Sequence, residues 1–112
     1  METTKMRERL RTFVERHPGG WNHEEWLGLL SELEGAGADV SEPSAVGHEL
    51  EKTRLAWELD RRSVPGLGPK RRAALVDRFG SFWRLQGASI EDVTEVRTIN
   101  EALAEKVLGA IH

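Results

Sequence analysis

The chain has 112 residues, and three features of its sequence predict an all-α fold. Apolar residues recur at spacings of three and four, which is the pattern of a helix with one buried face. Glycine, proline and cap-forming residues interrupt this pattern repeatedly, as they do between helices. No segment alternates apolar and polar residues in the way that a half-buried strand does.

Three helices are predicted in the first half of the chain. The first covers residues 2–17 and ends at a Pro-Gly-Gly sequence. The second begins at Asn22, which is placed to form a capping box with Glu25, and it ends near residue 34. The third is capped by Ser41 and continues to about residue 62. Because this third helix is long, we expect it to join the two halves of the protein.

The second half of the chain is predicted to contain a turn followed by four shorter helical segments. Residues 64–69 form the turn, and a helix follows to about residue 79. Ser81 and Ser89 each begin a short segment, and the last helix spans residues 101–111. A second turn, near residues 97–100, precedes this last helix.

The composition is that of a soluble globular protein, with 38% hydrophobic and 31% charged residues. No run approaches the roughly 20 apolar residues of a membrane span, and the charged N-terminus lacks the apolar core of a secretory signal. The absence of cysteine excludes disulfides, zinc ribbons and thiol catalysis, and it suits a reducing interior. We therefore expect a cytoplasmic protein that contacts no membrane.

Charge is distributed unevenly along the chain, whose net charge is −3. Residues 1–60 carry a net charge of −6, and residues 61–112 carry a net charge of +3. Within residues 61–84, seven basic residues accompany a single acidic one, Asp77. This asymmetry favours anion binding by the basic segment, although a charge run is often only a solvated surface.

The sequence VPGLGPKRRAAL at residues 64–75 is the most informative segment. Pro65 and Gly66 suit the two central positions of a type II turn, the second of which requires a positive φ. Such a turn points Leu67 between two helices as an anchor. Ala73 is small enough to let these helices pack tightly.

The start of the helix after this turn predicts an anion site. Pro69 suits the first helical position, where the missing N–H costs nothing. Backbone amides without intrahelical acceptors are then expected at Leu67, Gly68, Lys70 and Arg71. The helix dipole and the positive charges of Lys70, Arg71 and Arg72 add to the attraction for an anion.

Residues 64–96, VPGLGPKRRAALVDRFGSFWRLQGASIEDVTEV, resemble the helix-hairpin-helix DNA-binding family. The resemblance is to the tandem form found at the end of the UvrC nuclease subunit and in XPF-family nucleases. The shared pattern is a Pro-Gly turn between hydrophobic residues, Gly68, a basic residue at 70, Ala73 and the sequence FGS at 79–81. The later sequences ASIEDVTEV and LAEKVLGAIH match the second unit.

The resemblance covers about residues 50–112 and implies a tandem helix-hairpin-helix domain there. Residues 1–49 carry no such resemblance and are expected to form an acidic helical region. The family binds duplex or branched DNA without reading its sequence, by holding phosphates with backbone amides and one basic side chain. Carried over to this chain, the phosphate contacts are Gly66, Gly68 and Lys70, with Arg71 and Arg72 beside them.

The second hairpin departs from the family pattern. The family has Pro-Gly where this chain has Arg97 and Thr98. Because Thr98 is β-branched and disfavours a positive φ, this turn must take another shape or be strained. We expect it to hold phosphate weakly, with Arg97 adding a contact and Asn100 capping the last helix.

The tryptophans are expected mainly in the core. Trp26 and Trp57 lie on apolar helix stripes. Trp83 is expected to be buried because the linking segment of the tandem family packs inward, with stacking on a base as the alternative. Trp21 either is exposed at a partner surface or packs as a hydrophobic staple on Trp26.

No pattern of residues indicates a catalytic centre. The four histidines lack metal-ligand spacing, and the sequence contains no nucleophile motif, no nucleotide-binding phosphate loop and no two-metal carboxylate cluster. We therefore expect a non-catalytic protein without a cofactor or metal. If a nuclease is involved, it lies on another chain.

Two functions follow from these observations. The first is a DNA-binding module that grips phosphates through the hairpin at residues 64–70. The second is a protein interaction or dimerisation module in a DNA repair or recombination complex, in which residues 1–49 dock a protein partner or a second copy of the chain. An adaptor combines both, with residues 1–49 binding protein and residues 50–112 binding DNA.

Overall fold

The computed structural model describes residues 3–112, which form seven α-helices and no strand. The all-α prediction is confirmed. Met1 and Glu2 lie outside the described residues, and so does the predicted start of the first helix at Glu2. None of the seven helices has the length and apolar character needed to cross a membrane. The helices are α1 (Thr3–Arg16), α2 (His23–Gly35), α3 (Pro43–Arg62), α4 (Pro69–Phe79), α5 (Phe82–Gln86), α6 (Ile90–Thr94) and α7 (Glu101–Ile111).

The first three helices enclose an N-terminal hydrophobic cluster. Trp26 and Trp57 pack against this cluster and are half-buried, which agrees with their expected place in the core. Trp21 is also half-buried, with its ring centroid 5.3 Å from that of Phe13. Trp21 is therefore packed rather than fully exposed, with Phe13 as its ring partner, and the predicted staple on Trp26 stays a prediction. The buried members of the cluster are Leu10, Val14, Leu29, Leu33, Val46 and Leu50.

The remaining helices enclose a C-terminal cluster. Leu67, the predicted anchor, packs against this cluster but stays half-buried, whereas Val64 at the start of the same turn is only 7% exposed. The turn after α3 is therefore fixed to the core at Val64 more than at Leu67. The buried members are Leu55, Leu59, Val64, Leu75, Phe79, Phe82, Leu85, Val93, Val96, Ile99, Leu103, Ala104, Val107 and Ile111.

Helix α3 belongs to both clusters, as its predicted length suggests. Its first half supplies Leu50 to the N-terminal cluster, and its second half supplies Leu55 to the C-terminal cluster. Arg54, between them, places its guanidinium 5.6 Å from the Trp21 ring and 5.2 Å from the Phe82 ring. A cation over aromatic rings on both sides ties the two clusters together. The predicted boundary between residues 49 and 50 lies inside this helix and stays a prediction.

A buried ion pair fixes the end of α3. Glu58 is 1% exposed, and its Oε2 lies 2.9 Å from Arg62 Nη2 and 3.4 Å from Arg61 Nε. A carboxylate this deep in a protein is tolerated only when it is paired. The pairing orders the last turn of α3, from which the next turn departs.

Side-chain caps begin most helices at the predicted residues. Asn22 and Ser89 form capping boxes with Glu25 and Asp92, and Ser81 and Asn100 each accept one backbone N–H.

The predicted cap at Ser41 is wrong. Pro43 occupies the first position of α3, so the cap position falls on Glu42, whose side chain makes no capping hydrogen bond. Ser41 instead donates its backbone N–H to Asp39 Oδ1 at 3.0 Å. Proline at the first helical position removes one unsatisfied N–H, which reduces the need for a cap.

Candidate nucleic-acid interface

The turn between α3 and α4, which we call the first turn, has the predicted geometry. Gly66 has a φ of 86°, as the second central position of a type II turn requires. The Leu67 N–H donates to the Val64 carbonyl at 3.1 Å and closes the turn. The prediction of a free amide at Leu67 is therefore wrong. A Cβ added at Gly66 would lie 3.5 Å from Leu103 Cδ1, an ordinary contact, so glycine is needed here for its φ.

The start of α4 presents unsatisfied donors on an open surface. Gly68 is the N-cap residue, in extended conformation, and Pro69 is the first helical residue. Within residues 3–112, nothing accepts a hydrogen bond from the amides of Gly68, Lys70 or Arg71. A Cβ added at Gly68 would meet no atom within 4 Å. Three N–H groups at the positive end of a helix dipole are thus accessible to a ligand.

Arg71 links the first turn to the turn between α6 and α7, which we call the second turn. Its Nη1 donates to the Gly66 carbonyl at 3.1 Å, and its Nε donates to the Thr98 carbonyl at 3.0 Å. The two turns therefore lie side by side. Arg71 was expected beside the phosphate contacts, and the structure shows that it also holds the two turns together.

The other two cations after the first turn differ in their pairing. Arg72 Nη1 lies 3.0 Å from Asp60 Oδ1, so this guanidinium is already partnered by a carboxylate of α3. Lys70 is exposed and has no ion pair with any residue of the described chain. Arg71 also keeps its charge, since its partners are neutral carbonyls, so Lys70 is the cation in this segment whose side chain is held by no other described residue.

The second turn takes another shape rather than a strained one. Thr98 is not among the described residues with a positive φ. The Ile99 N–H closes the turn on the Val96 carbonyl at 2.9 Å, and Asn100 caps α7 as predicted. Arg97 is exposed and carries no ion pair within residues 3–112. The second turn thus contributes one accessible cation next to the first turn.

Two expectations about packing are wrong. Ala73 is exposed, because α4 buries Leu75, and residues two apart on a helix point in nearly opposite directions. Trp83 is 66% exposed, whereas its neighbour Phe82 is 7% exposed. In the short helix α5, Phe82 and Leu85 share the buried face, so Trp83 points outward beside Arg84, whose guanidinium is 5.6 Å from the indole ring.

The acceptors that hold the arginines are not evident from the sequence. Asp60 lies 12 residues before Arg72, and Thr98 lies 27 residues after Arg71. No periodicity connects positions so far apart, and an acid near a helix end is common. In the part of the chain that the structure describes, no three His, Asp or Glu side chains are grouped so that they could hold a metal ion.

Known proteins resemble part of this chain. Over 64 residues, or 57% of the chain, it is 42% identical to UvrABC system protein C of Salinispora tropica, and the match covers 10% of that protein. The proteins of the same name from Nocardia farcinica and Dechloromonas aromatica are 43% and 38% identical over 58% and 59% of the chain, and the matches cover 10% and 11% of those proteins. No family model and no solved structure matches.

The predicted resemblance to UvrC is confirmed by these relatives. The chain spans about a tenth of the length of the curated relatives it matches. The similarity therefore concerns one segment of a much larger protein.

Proposed function

We propose that this chain is a non-catalytic module of DNA repair that binds the phosphate backbone of DNA, without reading its sequence, at the first turn and the start of α4. The observation that carries the proposal is the set of free amides at Gly68, Lys70 and Arg71 beside the unpaired Lys70 side chain. The similarity to UvrABC system protein C supports the same function.

The physical basis is the combination of amides, dipole and charge. A phosphate oxygen in front of α4 accepts N–H groups that have no other partner, and the helix dipole favours its negative charge. The absence of a side chain at Gly68 lets the strand approach the backbone closely. Such contacts go to phosphates, so they carry no information about base sequence. Arg97 adds a contact from the second turn.

The number of contacts sets the expected strength of binding. A single turn with few phosphate contacts gives an affinity on the order of the micromolar non-specific range or weaker, with a steep dependence on salt. Fluorescence anisotropy with duplex and branched DNA of unrelated sequences at low salt measures this affinity. All sequences should bind equally, and incubation with Mg²⁺ should leave the DNA uncut.

A matched pair of variants tests the site. Lys70→Glu reverses a charge at the proposed contact, and Lys106→Glu reverses an exposed charge on α7 that has no part in it. The first variant should lose binding, and the second should keep most of it. Equal binding by the Lys70→Glu variant and the wild type would show that the first turn does not hold DNA.

The second candidate function is a protein interaction or dimerisation module in a repair complex. It is supported by the exposed side chains of Trp83 and Leu27, which are 66% and 48% exposed. Large apolar groups left in water are a common feature of protein-binding surfaces. Size-exclusion chromatography with light scattering discriminates between the candidates, because a monomer that binds DNA supports the first.

A further inference from the structure

A groove between α1, α3 and α4 begins beside the first turn. It is lined by Arg7 and Arg11 of α1, by Lys52 of α3, and by Pro69 and Arg72 of α4. Pro69 is the first residue of α4, so this groove opens next to the free amides of the proposed DNA contact. The N-terminal helix, which the sequence assigned to an acidic partner-binding region, thus shares a surface with the first turn.

Basic side chains outnumber acidic ones in the lining of this groove. Four of its lining residues are basic, and two, Glu49 and Asp77, are acidic. Helix α1 itself contains five basic and two acidic residues, although the region around it in the sequence is acidic. The side of the molecule next to the first turn is therefore more basic than the charge balance of residues 1–60 indicates.

The cations of the groove fall into two groups. Asp60 lies 3.0 Å from Arg72 and 3.6 Å from Arg11, so one carboxylate ties α1 and α4 together across α3. Arg7 and Lys52 have no ion pair within residues 3–112. The first two side chains stabilise the walls of the groove. The other two have no ion pair in the described chain and share the groove with the carboxylates of Glu49 and Asp77.

We propose that a DNA strand held at the first turn continues along this groove, where Arg7 and Lys52 contact its next phosphates. The inference rests on the proposed function and extends its interface to the N-terminal helix. A phosphodiester backbone is the occupant that fits, because it offers regularly repeated negative charges that begin at the amides of α4. None of the described residues that line the groove is aromatic, so the groove offers no ring on which a base could stack. This favours contact with the sugar–phosphate backbone over contact with bases.

Charge reversal with a matched control tests the inference. Arg7→Glu/Lys52→Glu reverses both unpaired charges in the groove. The control variant, Lys5→Glu/Lys106→Glu, changes the net charge by the same amount outside the groove. Lys5 lies two residues from Arg7 and therefore on the opposite side of α1, facing α2. Circular dichroism verifies that both variants stay folded. Binding of the full chain to a fluorescent duplex is then measured from about 0.05 to about 0.2 M salt, a range wide enough to determine the salt dependence of the affinity.

The expected result follows from counterion release. Each lost phosphate contact makes the negative slope of log K against log salt less steep by about 0.9. The same loss weakens binding about eight-fold at about 0.1 M salt. The groove variant should therefore bind more weakly than the control variant and show a flatter salt dependence. The control variant should keep the wild-type slope.

The possible failures are distinguishable. If the wild type binds DNA and Lys70→Glu abolishes binding, but the groove and control variants behave alike, the groove does not contact DNA and the proposed function stands. If the wild type binds no DNA, both the proposed function and this inference are wrong. A lower affinity of the groove variant without a change in slope also contradicts the inference, because the loss of a phosphate contact must flatten the salt dependence.

Discussion

Replacing Gly66 by alanine tests the geometry of the first turn. The φ of 86° at this position places the residue in the left-handed region, which costs a residue with a Cβ about 1–2 kcal/mol. The new Cβ would meet Leu103 Cδ1 at 3.5 Å, so no steric clash adds to this cost. The free energy of unfolding should therefore be about 1–2 kcal/mol lower than that of a matched alanine variant without a positive φ.

Gly19→Ala is the matched control for this variant. Gly19 also lies in a turn, has no positive φ, and offers open space to a Cβ. Both variants restrict the unfolded chain in the same way, so the difference between them isolates the effect of φ at Gly66. Gly19→Ala should be neutral or stabilised by about 0.4–1 kcal/mol.

Thermal unfolding followed by far-UV circular dichroism measures this difference. For a domain of this size, this difference places the Tm of the Gly66→Ala variant about 4–8 °C below that of Gly19→Ala. If the two variants unfold at the same temperature, the turn does not require a positive φ. The placement of the free amides that depends on this turn would then be wrong.

Three further substitutions test the packing, the capping and the ionisation of other residues. Phe82→Ala should lower the free energy of unfolding, measured with denaturant, by about 3–5 kcal/mol. Trp83→Ala should change it by less than about 0.5 kcal/mol, and equal losses would contradict the assignment of the buried face of α5. Asn100→Ala should lower the free energy of unfolding by about 1 kcal/mol, because the Asn100 side chain accepts the Leu103 N–H at 2.8 Å. An unchanged Tm would contradict this cap. Burial raises the pKa of the Glu51 carboxyl, whose Oε2 has no hydrogen-bond partner within residues 3–112. Folding therefore favours the protonated carboxyl, and the stability that this protonation contributes is lost as the pH rises through the raised pKa. Glu51→Gln should unfold at higher urea than the wild type at neutral pH and should lose this advantage in acid; an advantage independent of pH would contradict the argument.

The helices and the first turn were predictable because their determinants are local. Residues within one turn of each other decide an N-cap, a Pro-Gly turn or an apolar stripe, so Asn22, Gly66 and Asn100 lie where the sequence predicts. The cap of α3 failed for an equally local reason, since Pro43 shifts the cap position to Glu42.

Side-chain partners were not predictable in the same way. Arg71 and Arg72 were assigned to a phosphate by their position after the turn, yet their acceptors lie on other elements. The exposure of Trp83 was missed because its burial was inferred from the linking segment of the tandem family, and a five-residue helix is too short to show a period of its own. The net charge of residues 1–60 likewise concealed the basic character of α1, because charge summed along the chain ignores which residues share a surface.

The proposed function depends most directly on contact between phosphate and the free N–H groups at the start of α4. Titration of the isotope-labelled chain with a short DNA duplex, followed by amide chemical shifts, measures this contact residue by residue. The amides of Gly68, Lys70 and Arg71 should show the largest shift changes, and these changes should diminish as salt is added. Saturable binding in which these three amides stay unshifted would contradict the account.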